Sequence, residues 1–80
     1  QFIKAAFSIG MIDDHTAASS ARSNGDVNVQ VIMERMNGGG HLTQAALQRA
    51  DCTVDDLNNE LYDALEEYVK ENEHESNSVK

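Results

Sequence analysis

Gly38-Gly39-Gly40-His41 is the part of the chain with the most chemical potential. Three consecutive glycines are costly to order, because glycine loses more backbone freedom on folding than any other residue. Such a run can expose backbone N–H groups with no Cβ to block an approaching phosphate oxygen. His41, immediately beyond it, could donate to the same anion through an imidazole nitrogen. The competing reading is a flexible helix-to-strand connector with His41 in solvent, and spacing alone favours the connector. The order of residues is reversed relative to the lipase-type oxyanion motif, in which histidine precedes the glycines.

A second group is Ser20, Arg22 and Ser23. An arginine flanked by hydroxyls suits a bidentate phosphate contact; an edge arginine that keeps a sheet soluble is the alternative. Asp13-Asp14-His15 invites a metal reading, but consecutive turn residues point in different directions and cannot close a coordination shell alone. Cys52 stands before a helix cap with no base nearby and reads as a packing residue. His74 carries no argument. Met33 and Met36 fall on an apolar helical stripe.

These residues need elements to hold them. Phe2 to Ile12 alternates, with Ile3, Ala5, Phe7, Ile9 and Met11 on one face, which predicts a strand. Asp13-Asp14-His15 is turn chemistry, and residues 16–23 return as a second strand of very small residues. Such a strand permits close approach by a ligand or another backbone. Asp26 is a good cap for a short helix over about 27–36, whose apolar positions are Val29, Ile32, Met33 and Met36. Asn37 and Gly38 end it. A helical turn is expected at 41–44 and a third strand at 45–50. Thr53 caps a helix over about 54–72, with Val54, Leu57, Leu61, Leu65 and Tyr68 as its buried stripe. The sum is an α+β fold, a small mixed sheet of about three strands packed on two helices, as one domain over 1–72 followed by a disordered acidic tail at 73–80.

Eighty residues with 40 % hydrophobic content support one modest core. The net charge of −8 argues against a duplex nucleic-acid groove or an anionic membrane surface. Its placement is uneven: residues 1–50 hold four acids and four bases, residues 51–80 ten acids and two bases. The single cysteine excludes an internal disulfide and a cysteine-based zinc site. No apolar run approaches the roughly 18–20 residues needed to span a bilayer. The start at Gln1 reads as a cut from a longer protein.

Taken together, Ser20-Ala21-Arg22-Ser23, Asn28-Val29-Gln30-Val31-Ile32-Met33-Glu34 and Gly38-Gly39-Gly40-His41-Leu42-Thr43 resemble the DHHA1 subdomain of bacterial cyclic-di-AMP phosphodiesterases of the GdpP/YybT type, in the DHH phosphoesterase superfamily. The similarity runs from about Phe2 to Tyr68. It implies a substrate-binding lobe in which Gly38, Gly39, Gly40 and His41 hold the phosphodiester or nucleotide, with Ser20 and Arg22 assisting. It also implies a DHH lobe of the same chain that carries two metal ions, usually manganese, and hydrolysis of cyclic-di-AMP to linear pApA. No catalytic or metal-binding residue is expected within the 80, so the lobe alone is expected to be inactive. A homodimer and a parent anchored on the cytoplasmic side of the bacterial membrane also belong to what the resemblance implies. At Ala45-Ala46-Leu47 the chain departs from the family's common continuation, Ala-Ala-Gly. Two alternatives stay open: the DHHA1 lobe of an oligonucleotide-degrading nanoRNase or RecJ-like exonuclease, and a non-catalytic nucleotide-binding module.

Overall fold

Alternating residues over Ala5–Met11 form strand β1, and the Asp13 turn returns the chain as β2, Thr16–Ser23. The structure is a computed structural model that describes residues 4–79, with side chains described through residue 72. The strand start expected at Phe2 lies outside the described residues. In the turn, the Asp13 carboxylate accepts the His15 N–H at 2.8 Å, which draws its pKa below the ordinary value. Helix α1 spans Val29–Arg35, strand β3 Gly39–His41, strand β4 Gln44–Ala50 and helix α2 Val54–Val79. The sheet order is β1-β2-β4-β3.

The α+β class is as the sequence indicates, with two differences in the sheet. It has four strands, and every neighbouring pair is antiparallel. The extra strand is the glycine run itself. Residues 42–43 make a two-residue turn instead of the expected helical one, so Gly39–His41 folds back onto β4 as a hairpin. A three-residue strand with two glycines has no periodicity to announce it.

The short helix begins later than Asp26. Asn24 Oδ1 accepts the Asp26 N–H, and the Ser23 hydroxyl donates to the Val27 carbonyl while accepting the Gly25 N–H. These bonds hold residues 24–27 as a loop, and Asn28 takes over as cap, its Oδ1 accepting the Val31 N–H. At α2 the expected cap is found: Thr53 Oγ1 accepts the Asp56 N–H at 3.1 Å. Helix α2 does not end near residue 72 as expected but runs on to Val79, through the stretch expected as a disordered tail.

Both helices cover one face of the sheet. Ala17, Ala21, Ala45 and Leu47 from the strands meet Val29, Ile32, Met33 and Met36 from α1 and Leu57, Leu61 and Ala64 from α2. Small strand residues let the helices approach closely, and the core volume comes from the helix side. Arg49 holds the layers together: it donates to both carboxylate oxygens of Glu60 at 2.6 and 2.7 Å and to the Met36 carbonyl at 2.6 Å. Tyr68 Oη accepts the Asn28 N–H at 2.9 Å, tying α2 to the start of α1. Ser19 is a defect in this layer, buried with an unpartnered hydroxyl. Among the described residues no helix is long and apolar enough to cross a membrane.

Candidate functional site

The helices leave the other sheet face open, and side-chain alternation decides what stands on it. Cross-strand partners point to the same side, so the pairings define rows. One row reads Ala6, Arg22, Gln44, His41; the next reads Ser8, Ser20, Ala46, Gly39. Arg22 and His41, which the sequence could not place relative to each other, therefore share one row on one face. They are two strand spacings apart, roughly 10 Å, about the width of a nucleotide instead of a lone phosphate. Gln44 stands between them and was not anticipated, because the expected helical turn gave it no face.

Ser20 lies on the same face, its hydroxyl 2.8 Å from that of Ser8. Ser23 does not join them: its hydroxyl is committed to the loop before α1. Among the described residues Arg22 makes no ion pair and is exposed to solvent. No acid stands in any of these rows. A shallow concavity of about 500 Å³ follows the small-residue floor, with Gly10, Ala18, Ser20, Ala46 and Gln48 among its lining. Gly39 pairs with Ala46, one of its lining residues.

The three glycines answer to different constraints. A Cβ on Gly38 would sit 2.6 Å from the Ala46 carbonyl oxygen and 2.7 Å from Leu47 Cβ. One on Gly40 would press against Ala45 Cα and lie 2.5 Å from the Gln44 carbonyl oxygen, and its φ of +149° is itself a glycine conformation. Both are required by the packing of β3 on β4. A Cβ on Gly39 meets nothing within 4 Å. Nothing in the fold of this chain explains why that position lacks a side chain.

The backbone amides are less available than the glycine run suggests. Gly38 N–H donates to the Met33 carbonyl at 2.7 Å. The Ser23 N–H bond to the Thr43 carbonyl fixes the alternation across β2 and β4. Carried to the next pair, it turns the Gly39 and His41 amides into the sheet. The Gly40 N–H is left directed away from β4.

Among the described residues no three His, Cys, Asp or Glu side chains cluster to hold a metal ion; in the Asp13-Asp14-His15 turn the Asp13 carboxylate instead accepts the His15 N–H. Cys52 is a half-buried free thiol beside the Thr53 cap. The side chain of His74 lies outside the described residues.

A family model described as the DHHA1 domain matches residues 2–71. The chain is 53 % identical over 68 residues to the cyclic-di-AMP phosphodiesterase GdpP of Geobacillus thermodenitrificans (strain NG80-2). It is 46 % identical to the protein of the same name from Bacillus subtilis (strain 168) and 44 % identical to the cyclic-di-AMP phosphodiesterase PdeA of Listeria monocytogenes serotype 1/2a (strain 10403S). Each match covers 85 % of this chain and 10 % of the relative. A fold of this topology, matched by its family model over nearly its whole length, makes the chain a member of the DHHA1 domain family.

Proposed function

We propose that this chain is the substrate-binding lobe of a metal-dependent phosphodiesterase that cleaves cyclic-di-AMP to linear pApA. The observation that carries the reading is Gly39, a glycine its own fold does not require, set on the acid-free face beside Arg22 and His41. A missing side chain with no internal reason is what close approach by a ligand needs. The names of the relatives supply the substrate, and because the chain spans a tenth of their length, the catalytic apparatus belongs to the rest of the parent.

In this reading the open face receives a nucleotide with its phosphodiester toward His41. The imidazole N–H and the Arg22 guanidinium neutralise phosphate charge, Gln44 bridges them, and Gly39 lets the sugar-phosphate backbone lie against the sheet. Manganese is assigned to the DHH lobe of the same chain, since the described residues here do not fit a metal. When bound there, it would supply activation of the attacking water. The lobe described here orients the substrate. The parent's anchorage at the membrane belongs to the same proposal.

The test compares the parent enzyme with its Gly39→Ala and His41→Ala variants, each checked for folding by circular dichroism. Turnover of cyclic-di-AMP with manganese should fall at least about tenfold in both: His41→Ala loses a charge-assisted hydrogen bond, and Gly39→Ala puts a methyl group where the ligand must approach. The isolated 80 residues should show none. Unchanged turnover in both folded variants would sink the assignment of this face.

A further inference from the structure

The chain holds two Asn-Gly pairs, Asn24-Gly25 and Asn37-Gly38, and the fold treats them oppositely. An asparagine followed by glycine is open to attack on its own carboxamide, because no Cβ on the next residue shields the backbone nitrogen or restricts its rotation. At the first pair, Gly25 N would bond to Asn24 Cγ while its proton passes to water and Nδ2 leaves as ammonia. Water then opens the succinimide ring at either carbonyl, giving an aspartate or an isoaspartate. No electrons change hands, water is the only co-reactant, and either product adds a negative charge.

Asn37-Gly38 is protected by its place in the fold. Gly38 N–H, the group that would have to attack, donates to the Met33 carbonyl at 2.7 Å in the cap that ends α1. A Cβ on Gly38 would lie 2.6 Å from the Ala46 carbonyl oxygen, so β4 is packed against this peptide and leaves it no room to swing onto the carboxamide. The pair can react only when the contact between α1 and β4 opens.

Asn24-Gly25 has no such restraint. Both residues are exposed, and a Cβ on Gly25 meets nothing within 4 Å. Gly25 N–H is held only by the Ser23 hydroxyl at 3.1 Å. Asn24 Oδ1 accepts the Asp26 N–H at 2.9 Å. That bond folds the carboxamide back over the Gly25 peptide and places a donor on the oxygen that gains negative charge as Cγ is attacked.

The position of the new charge is set by the sheet. Asn24 extends the β2 ladder, its N–H donating to the Lys4 carbonyl, so alternation puts its side chain on the face that carries Arg22. Ala5, Ala6, Arg22, Ser23 and Asn24 line one shallow hollow. Among the described residues no acid, the nearby Asp26 included, forms an ion pair with Arg22.

We propose that Asn24 is a site of spontaneous deamidation, and that the carboxylate formed there takes Arg22 as its ion-pair partner. The chemistry at Asn24 and the pairing are independent of the nucleotide reading; only a loss of activity on modification rests on it. An ageing molecule acquires an acid beside the cation of an otherwise acid-free face.

The 80-residue chain, kept folded at neutral pH over days, is digested, its peptides are analysed by mass, and isoaspartate is located by fragmentation. The peptide with Asn24 should gain about one dalton and split into aspartate and isoaspartate forms. It should do so at least about tenfold faster than the peptide with Asn37. In urea that unfolds the chain, the two should react within a few-fold of each other. An Asn24 that stays intact in the folded chain overturns the proposal, as does an Asn37 that keeps pace with it there, or a tenfold difference that persists in urea. For the pairing, the new carboxyl of Asn24→Asp, followed by NMR, should titrate at higher pH once Arg22→Gln is added, and an unmoved titration overturns that part. In the parent enzyme Asn24→Asp should lower kcat/KM for cyclic-di-AMP several-fold. Unchanged kcat/KM beside a carboxyl that does respond to Arg22→Gln would refute the nucleotide reading and leave the modification site standing.

Discussion

Gly39 and Gly40 are neighbours in β3 that the sequence presents as equals, and the structure separates them. Alanine at Gly40 meets the β4 backbone and a left-handed φ, so we expect a loss of about 2 kcal/mol or more. Alanine at Gly39 meets open space and should change stability by no more than about 0.5 kcal/mol. Urea unfolding of the two variants checks this, and equal losses would show that Gly39 is held by its own fold. The difference also explains what sequence reading left unresolved. The motif is visible in the letters, but the reason for each glycine depends on whether β4 lies behind it, and that pairing leaves no local signature. Ser19 gives the same lesson in reverse: its letter suggests surface, while the tertiary fold buries it without a partner.

At the level of elements, α2 is fastened by its charged flank. Arg49 grips Glu60 on one side of the helix, and Arg35 pairs with Glu71 on the same side. The hydrogen bonds from Arg49 hold the Glu60 carboxyl below the ordinary glutamate value, against a smaller opposing effect of burial. A depressed folded-state pKa contributes stability at neutral pH that disappears as pH falls through that value. Glu60 is 38 % exposed, so after solvent screening the pair contributes about 0.5–1 kcal/mol. Glu60→Gln should therefore lower the urea midpoint at pH 7, with the gap closing as pH drops below the ordinary glutamate range. A gap independent of pH would mean that the contact acts through packing alone.

The helices and the first two strands were legible because periodicity, turn chemistry and the Thr53 cap are local. The start of α1 was not, because the Ser23 and Asn24 side chains outcompete Asp26 for the loop's amides. Nor was the antiparallel closure of the sheet, which follows from reading residues 42–43 as a turn.

Across the whole molecule, the charge of −8 is sorted by layer. The acids gather on the long helix, while the paired rows of the open face contain none. Under the proposed function, that separation would let an acidic chain offer a surface to a phosphodiester, since fields from exposed charges are screened within about 8–10 Å at physiological salt. The core lies between sheet and helices, and the proposed substrate face is the opposite side of the sheet near β3.

The small residues of β2 leave the strand nearly indifferent to which way it faces. Ala17 and Ala18, then Ser19 and Ser20, place almost the same chemistry on both sides, so a shift of one position would exchange the faces at little cost until it reached Arg22. Burying that guanidinium is the expensive step, several kcal/mol without a partner. Arg22 thus acts as a steric and electrostatic key for folding, apart from any ligand. Arg22→Ala should give a second set of amide resonances for β2 and its neighbours, while Arg22→Lys should give one. A single conformer in the alanine variant would mean that the turns alone lock the strand. With two sets of resonances, the residue proposed to face the phosphodiester is also the one that selects, during folding, which side of the sheet stays open.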